Sequence, residues 1–171
     1  MNSYSFAQMK VVGKWAVDRL TERWQNFGYV VTNVEDDKVF QPLDIYVILT
    51  GPSPRTYIEV KGDRYTSGNI YVETVADEKR NSPGCLTYTA ADYLAYYLVK
   101  QGQCLMIPVP ALQAWITEHI GRFQEKTVRS TYNAGRSSTG RGRPVPITVI
   151  LQEVHGAFLL DGLPVMTEEA N

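Results

Sequence analysis

Residues 41–65 read QPLDIYVILTGPSPRTYIEVKGDRY, and on this stretch the fold turns. Two β-branched and aromatic runs, 43–50 and 55–61, flank GPSP, whose glycine and prolines supply a tight connection, so the pattern predicts an antiparallel hairpin. Asp44, Glu59 and Lys61 nevertheless sit inside those runs. A charge removed from water needs a partner or a metal, so their presence points to chemistry. Side chains alternate along a strand: Tyr57, Glu59 and Lys61 share one face, and Ile58 and Val60 the other. On the preceding strand Asp44, Tyr46 and Ile48 share a face opposite Leu43, Ile45 and Val47. A pairing that sets Asp44 near the Lys61 end brings two carboxylates and an ammonium to one point.

Upstream, Val12, Ala16, Leu20, Trp24 and Phe27 recur at helical spacing and Gly28 ends the run, which predicts an amphipathic helix over 6–27. YVVTNV (29–34) follows as a strand, interrupted by the acidic turn Glu35, Asp36, Asp37. Downstream, NIYVETVA (69–76) reads as a fourth strand of the sheet or an extended arm. Residues 89–99 read as a helix with Thr89 as N-cap, Asp92 in the first turn as a dipole partner, and Leu94, Tyr97 and Leu98 on its apolar face. A buried strand over 104–109 and a helix over 111–120, opened by Pro110, complete an α/β layered core over 1–121. Residues 122–171 read as an elaboration of the same domain: a mobile Gly/Ser/Thr loop, then a β-hairpin of PITVILQEV and AFLL closed around His155 and Gly156.

Composition is that of an ordinary globular protein: 171 residues, 44% hydrophobic, 17 basic against 18 acidic, too short for two full domains. A net charge of −1 identifies no partner, but Arg122, Lys126, Arg129, Arg136, Arg141 and Arg143 cluster with only Glu125 as an opposing acid. Cys85 and Cys104 form no CxxC or Cys/His cluster and read as buried free thiols in a reducing cytoplasm rather than as zinc ligands. With no secretory signal and no apolar run of membrane-spanning length, the chain is expected to be intracellular, with no membrane partner.

Two carboxylates, completed by waters and a substrate phosphate, suit Mg²⁺ (or Mn²⁺), which polarises the phosphate and acidifies a bound water. A lysine beside them orients that water and offsets charge on the transition state. Pro42-Leu43-Asp44 followed fifteen positions later by Glu59-Val60-Lys61, each within an apolar strand, resembles the PD-(D/E)xK nuclease superfamily, whose restriction-endonuclease-like fold includes restriction enzymes and Holliday junction resolvases. The resemblance covers roughly residues 6–120. It implies a central mixed sheet flanked by helices, metal binding by Asp44, Glu59 and the Val60 carbonyl, water positioning by Lys61, and an additional acid at Glu73. One departure is Leu43 between the proline and the aspartate; the other is Val17, where many members carry a helix glutamate. The implied activity is Mg²⁺-dependent hydrolysis of DNA phosphodiesters, with Arg129, Arg136, Arg141 and Arg143 gripping phosphates, and double-strand cleavage would imply a homodimer.

Blander readings stand beside each of these. An E-x-K pair can be an exposed cross-strand ion pair, and loop arginines can be merely solvated. Tyr88, Tyr93, Tyr96 and Tyr97 read as packing residues with surface hydroxyls rather than base-stacking platforms; Trp15, Trp24 and Trp115 read as core or interface; His119 and His155 lack metal-ligand partners. The rival functions are a catalytically inactive nuclease fold that binds nucleic acid or a protein partner, and an accessory subunit of a larger assembly.

Overall fold

The structure, a computed structural model, describes residues 6–131 and 137–167. Its first helix, α1 (Phe6–Asn26), buries Val12, Ala16, Val17, Leu20 and Trp24 along a single stripe. The chain then forms an antiparallel meander of β1 (Val30–Asn33), β2 (Val47–Thr50) and β3 (Thr56–Asp63), with Val30 opposite Thr50 and Val47 opposite Ile58. The helix lies on the face of this sheet that carries Val47, Leu49, Ile58 and Val60. The helix and hairpin expected from the sequence are therefore present.

Next, β4 (Asn69–Asp77) leaves the meander to found a second sheet with the short β5 (Ser82–Pro83). The chain returns as β6 (Tyr93–Leu98), parallel to β3, with Glu59 opposite Leu94 and Lys61 opposite Tyr96. β7 (Gln103–Pro108) runs antiparallel beside it and leads into α2 (Val109–His119). β8 (Lys126–Thr131) and β9 (Ser137–Pro146) complete the second sheet in the order β5-β4-β9-β8. Finally α3 (Ile147–Glu153) and β10 (Phe158–Leu160) follow, and the first sheet has the order β1-β2-β3-β6-β7-β10. The β3/β6 pair makes that sheet mixed, within an α/β architecture that has three α-helices among the described residues. Ile70, Val72, Leu112, Val145 and Ile150 cover the sheet face opposite α1, packing on Leu94, Tyr96 and Leu98. No helix of the described residues is long and apolar enough to cross a membrane.

Four expectations are corrected. Residues 89–99 are not a helix: β6 is a central strand buried on both faces, so Leu94 through Leu98 form a continuous apolar run in which period two is invisible. Asp92 accordingly serves no helix dipole; its carboxylate accepts the Tyr57 N–H at 2.8 Å and starts the β3/β6 pairing. Residues 146–160 are not a hairpin either. Ile147, Ile150 and Val154 fall on one helical face against the core, so packing overrides their β-branched preference, and β10 pairs with β7 instead.

The segment expected to be a mobile loop over 122–143 contains two paired strands, Lys126 opposite Gly142 and Thr131 opposite Ser137. Its glycines answer a steric need rather than a flexible one. A Cβ at Gly142 would stand 2.6 Å from the Val72 carbonyl oxygen, so only glycine lets β9 approach β4 there. Arg136 lies outside the described residues. The strand at 69–76 is present, but in the second sheet.

Candidate metal centre

Alternation along β3 sends Ile58 and Val60 into the α1 side and leaves Glu59 and Lys61 on the other face, as the sequence predicts. Glu59 is only 1% exposed, while the Lys61 side chain keeps a third of its surface open and approaches Glu59 Oε1 at 3.4 Å. Asp44 arrives differently from the strand alternation expected of it. β2 begins only at Val47; Asp44 caps a one-turn 3-10 helix, Gln41–Leu43, in the left-handed region at φ 51°, ψ 41°. Aspartate tolerates that region better than most residues, at a cost of about 1 kcal/mol or more. The turn is pinned by the Ala90 N–H on the Leu43 carbonyl at 3.0 Å, with the Thr89 hydroxyl beside the same carbonyl.

The third member of the cluster is Cys85, which the sequence reading set aside. One carboxylate oxygen each from Asp44 and Glu59, and the Cys85 sulfur, all lie within 4.8 Å of one another. Cys85 opens the turn Cys85–Thr87, and Gly84 presses that turn against β4: the Gly84 N–H donates to the Thr74 carbonyl at 3.1 Å. A Cβ on Gly84 would lie 1.9 Å from the Glu73 carbonyl oxygen. Gly84→Ala is therefore expected to destabilise the protein by roughly 2 kcal/mol, the scale of core overpacking, and chemical denaturation measures it. No local motif announces Cys85, because long-range packing delivers it.

Two oxygens decide what the cluster can hold. Asp44 Oδ2 and Glu59 Oε2 are buried and have no hydrogen-bond partner. Buried carboxylate oxygens in that state are costly unless a cation or donor meets them. The strain shows in Glu59, whose carboxyl is pushed above the usual range by burial, with the Asp44 charge adding and the Lys61 ammonium opposing. Burial likewise works against the Lys61 charge, but the Cys85 sulfur and the Glu59 and Glu73 carboxylates outweigh it and hold the ammonium well above its ordinary value. Burial also pushes the Cys85 thiol up to about 12. The ionisation of the Tyr88 hydroxyl is raised by burial and then by the neighbouring Asp44 charge.

Val60 also fits a ligand role. The Ile58 carbonyl accepts the Tyr46 N–H at 2.9 Å, and the Val60 carbonyl, two residues on, points to that same side, beyond the last β2 pair. The nearby amides of Asp44 and Ile45 donate elsewhere, to Gln41 and Phe40. Glu73 reaches the neighbourhood from β4, acting electrostatically on Lys61 and Cys85. Its strand is tied over the first sheet by Tyr96, whose hydroxyl donates to Asp63 Oδ2 at 2.5 Å and accepts the Tyr71 N–H at 3.2 Å. Tyr96 thus packs as expected, but its hydroxyl is buried rather than at the surface. Val17, 2% exposed, sits on α1 across the sheet from Glu59, so no side chain at that position serves this face.

The arginines separate into two kinds. Arg141 pairs with Glu78 at 2.9 Å and Glu125 at 3.3 Å; Arg143 pairs with Glu125 at 3.5 Å and donates to the Phe123 carbonyl. Both brace the second sheet. Arg129 is exposed on β8 without an acidic partner among the described residues. Comparison with protein-family models, with curated proteins and with solved structures returns no match, so the site is read from its own geometry.

Proposed function

We propose that this protein is a metal-dependent DNA endonuclease of the PD-(D/E)xK kind, hydrolysing phosphodiester bonds at the Asp44, Glu59 and Lys61 cluster. The observation that carries the reading is the pair of unpartnered, buried carboxylate oxygens, Asp44 Oδ2 and Glu59 Oε2, beside a lysine that opens to solvent. Glu59 and Lys61 on the second strand of a hairpin, with Asp44 in the turn that leads into it, after a leading helix and within a mixed sheet, support the restriction-endonuclease-like assignment. The helix expected over 89–99 is instead the strand β6, and the chain reaches it from β3 through the second sheet and a short turn.

The donor set fits Mg²⁺ or Mn²⁺: Asp44 Oδ2, Glu59 Oε2 and the Val60 carbonyl are hard oxygens. When bound, such an ion supplies Lewis acidity to the phosphate and to a water. Lys61 stays protonated at neutral pH, so it donates hydrogen bonds and cannot serve as the base. Its role is to orient the attacking water and offset charge on the phosphate oxygens. From the second sheet Glu73 adds to the stronger influence of Cys85 and Glu59 in favouring the Lys61 charge. Among the described residues of the arginine cluster, Arg129 has no acidic partner and is free to contact a phosphate directly.

The test is incubation of the purified protein with plasmid, single-stranded and four-way-junction DNA in Mg²⁺, Mn²⁺ and EDTA. Cation-dependent cutting is expected. Binding to DNA without cleavage of any substrate in either cation would transfer the fold to the binding-module reading. Arg129→Ala is expected to weaken DNA binding uniformly across sequences and lower the salt slope by about 1. Arg141→Ala should lower thermal stability more than it lowers affinity, because it breaks internal pairs.

A further inference from the structure

Cys85 has no part in Mg²⁺ chemistry, because a hard cation that keeps its waters gains nothing from a thiol. It nonetheless faces Asp44 and Glu59 with its sulfur within 4.8 Å of an oxygen of each. Its position is imposed: Gly84 must be a glycine for the turn to sit against β4, and the Tyr88 and Thr89 N–H groups close on the Cys85 carbonyl at 3.1 Å and 2.9 Å. The site therefore offers a second donor set. Beside the two hard oxygens stands a soft sulfur, and the unpartnered Glu59 Oε2 on a 1%-exposed side chain lies in the same cluster.

We infer that Asp44, Glu59 and Cys85 form an inhibitory site for thiophilic divalent cations, Zn²⁺ and Cd²⁺, which bind through the Cys85 sulfur and exclude the Mg²⁺-supported reaction. The inference rests on reading this cluster as a cation site. Two carboxylate oxygens, a sulfur and a water are a donor set of the kind that tetrahedral zinc takes, with Zn–O at roughly 2.0–2.2 Å and Zn–S at roughly 2.3 Å, and side chains that already converge within 4.8 Å need only close in on the ion. On binding, the S–H bond breaks, the sulfur–metal bond forms from the sulfur electron pair, and the proton leaves to solvent; nothing is oxidised or reduced. Lys61, which is electrostatically coupled to the Cys85 sulfur and pairs with Glu59 Oε1 at 3.4 Å, then faces negative charge that the metal has already taken up. The cation also repels its ammonium. Inhibition follows from two effects at once, occupation of the carboxylates and displacement of the water-positioning group.

The experiment titrates the full chain with Co²⁺ as a spectroscopic stand-in for Zn²⁺, alongside thermal-shift titrations with Mg²⁺, Zn²⁺ and Cd²⁺. The wild type is expected to show a near-ultraviolet sulfur-to-cobalt charge-transfer band that Cys85→Ser and Asp44→Asn both lose. Cys104 lies on the α1 side of the sheet, so a band from that thiol would survive both substitutions. Zn²⁺ affinity relative to Mg²⁺, measured within each protein, should fall at least tenfold in Cys85→Ser. If that variant does not fold, the wild-type and Asp44→Asn spectra still decide the question. Cobalt binding without the sulfur band overturns this inference and leaves the Mg²⁺ reading standing. Absence of any shift with Mg²⁺, Co²⁺ and Zn²⁺ overturns both.

Discussion

Lys61→Ala is expected to lower DNA cleavage by about 10²–10³-fold while leaving Mg²⁺ binding largely intact, the scale seen when one preorganised donor to a developing charge is removed. The separation of the two effects is the informative part. Lys61 contributes no lone pair to a cation at neutral pH, because the neighbouring carboxylates hold it protonated. Losing it removes the orienting donor and the nearby positive charge, so kcat falls. Binding of Mg²⁺, read by thermal shift, should stay within a few-fold or tighten, since a competing ammonium has left Glu59 Oε1. Lys61→Arg restores the charge but not the compact point donor and is expected to recover only part of the loss. Single-turnover kinetics with saturating Mg²⁺ check these expectations. Equal activity of Lys61→Ala and wild type would remove Lys61 from the mechanism.

Glu59→Gln is expected to abolish cleavage and yet stabilise the protein in EDTA. The carboxylate is buried, carries a partnerless oxygen, and faces the Asp44 charge, so its charged form is disfavoured in the folded state. With the folded value above the unfolded one, the native chain binds the proton more readily. The penalty is absent below the ordinary glutamate range, grows as pH rises towards the raised folded value, and stays constant above it. The stabilisation by Glu59→Gln should therefore be largest at neutral pH and vanish in acid. About 1 kcal/mol corresponds to roughly 2–4 °C in a chain of this size. Mg²⁺ is expected to raise the Tm of the wild type and not that of the variant, because only the carboxylate is relieved by a cation. Thermal melts from acid to neutral pH, in EDTA and in Mg²⁺, test the sign directly. A variant less stable than wild type at neutral pH in EDTA would mean that the Lys61 pairing outweighs the cost of burial.

Where the chain's pattern is local, the sequence was legible. Helix α1, the β2/β3 hairpin, β7 and α2 each follow from spacing within one element, and the shared face of Glu59 and Lys61 follows from the alternation of a single strand. It failed where burial on both sides hides the period, as in β6, and where tertiary packing overrides propensity, as in α3. The second sheet was invisible for a related reason: a glycine and serine-rich segment reads as flexible until the carbonyl that requires Gly142 is known.

The candidate site divides in the same way. By itself the sequence determined that an acid and a lysine would point together from an apolar strand, and that a second acid lay close by along the chain, because covalent geometry and strand alternation act over a few residues. Only the tertiary structure decided how Asp44 turns in on a left-handed cap, that Arg141 and Arg143 are held by acids of their own sheet, and that Cys85 joins the carboxylates. The arginine pairs form only when β4, β8 and β9 assemble, and the Cys85 contact only when the second sheet closes on the first, with a sterically required glycine at position 84 setting how near that turn comes.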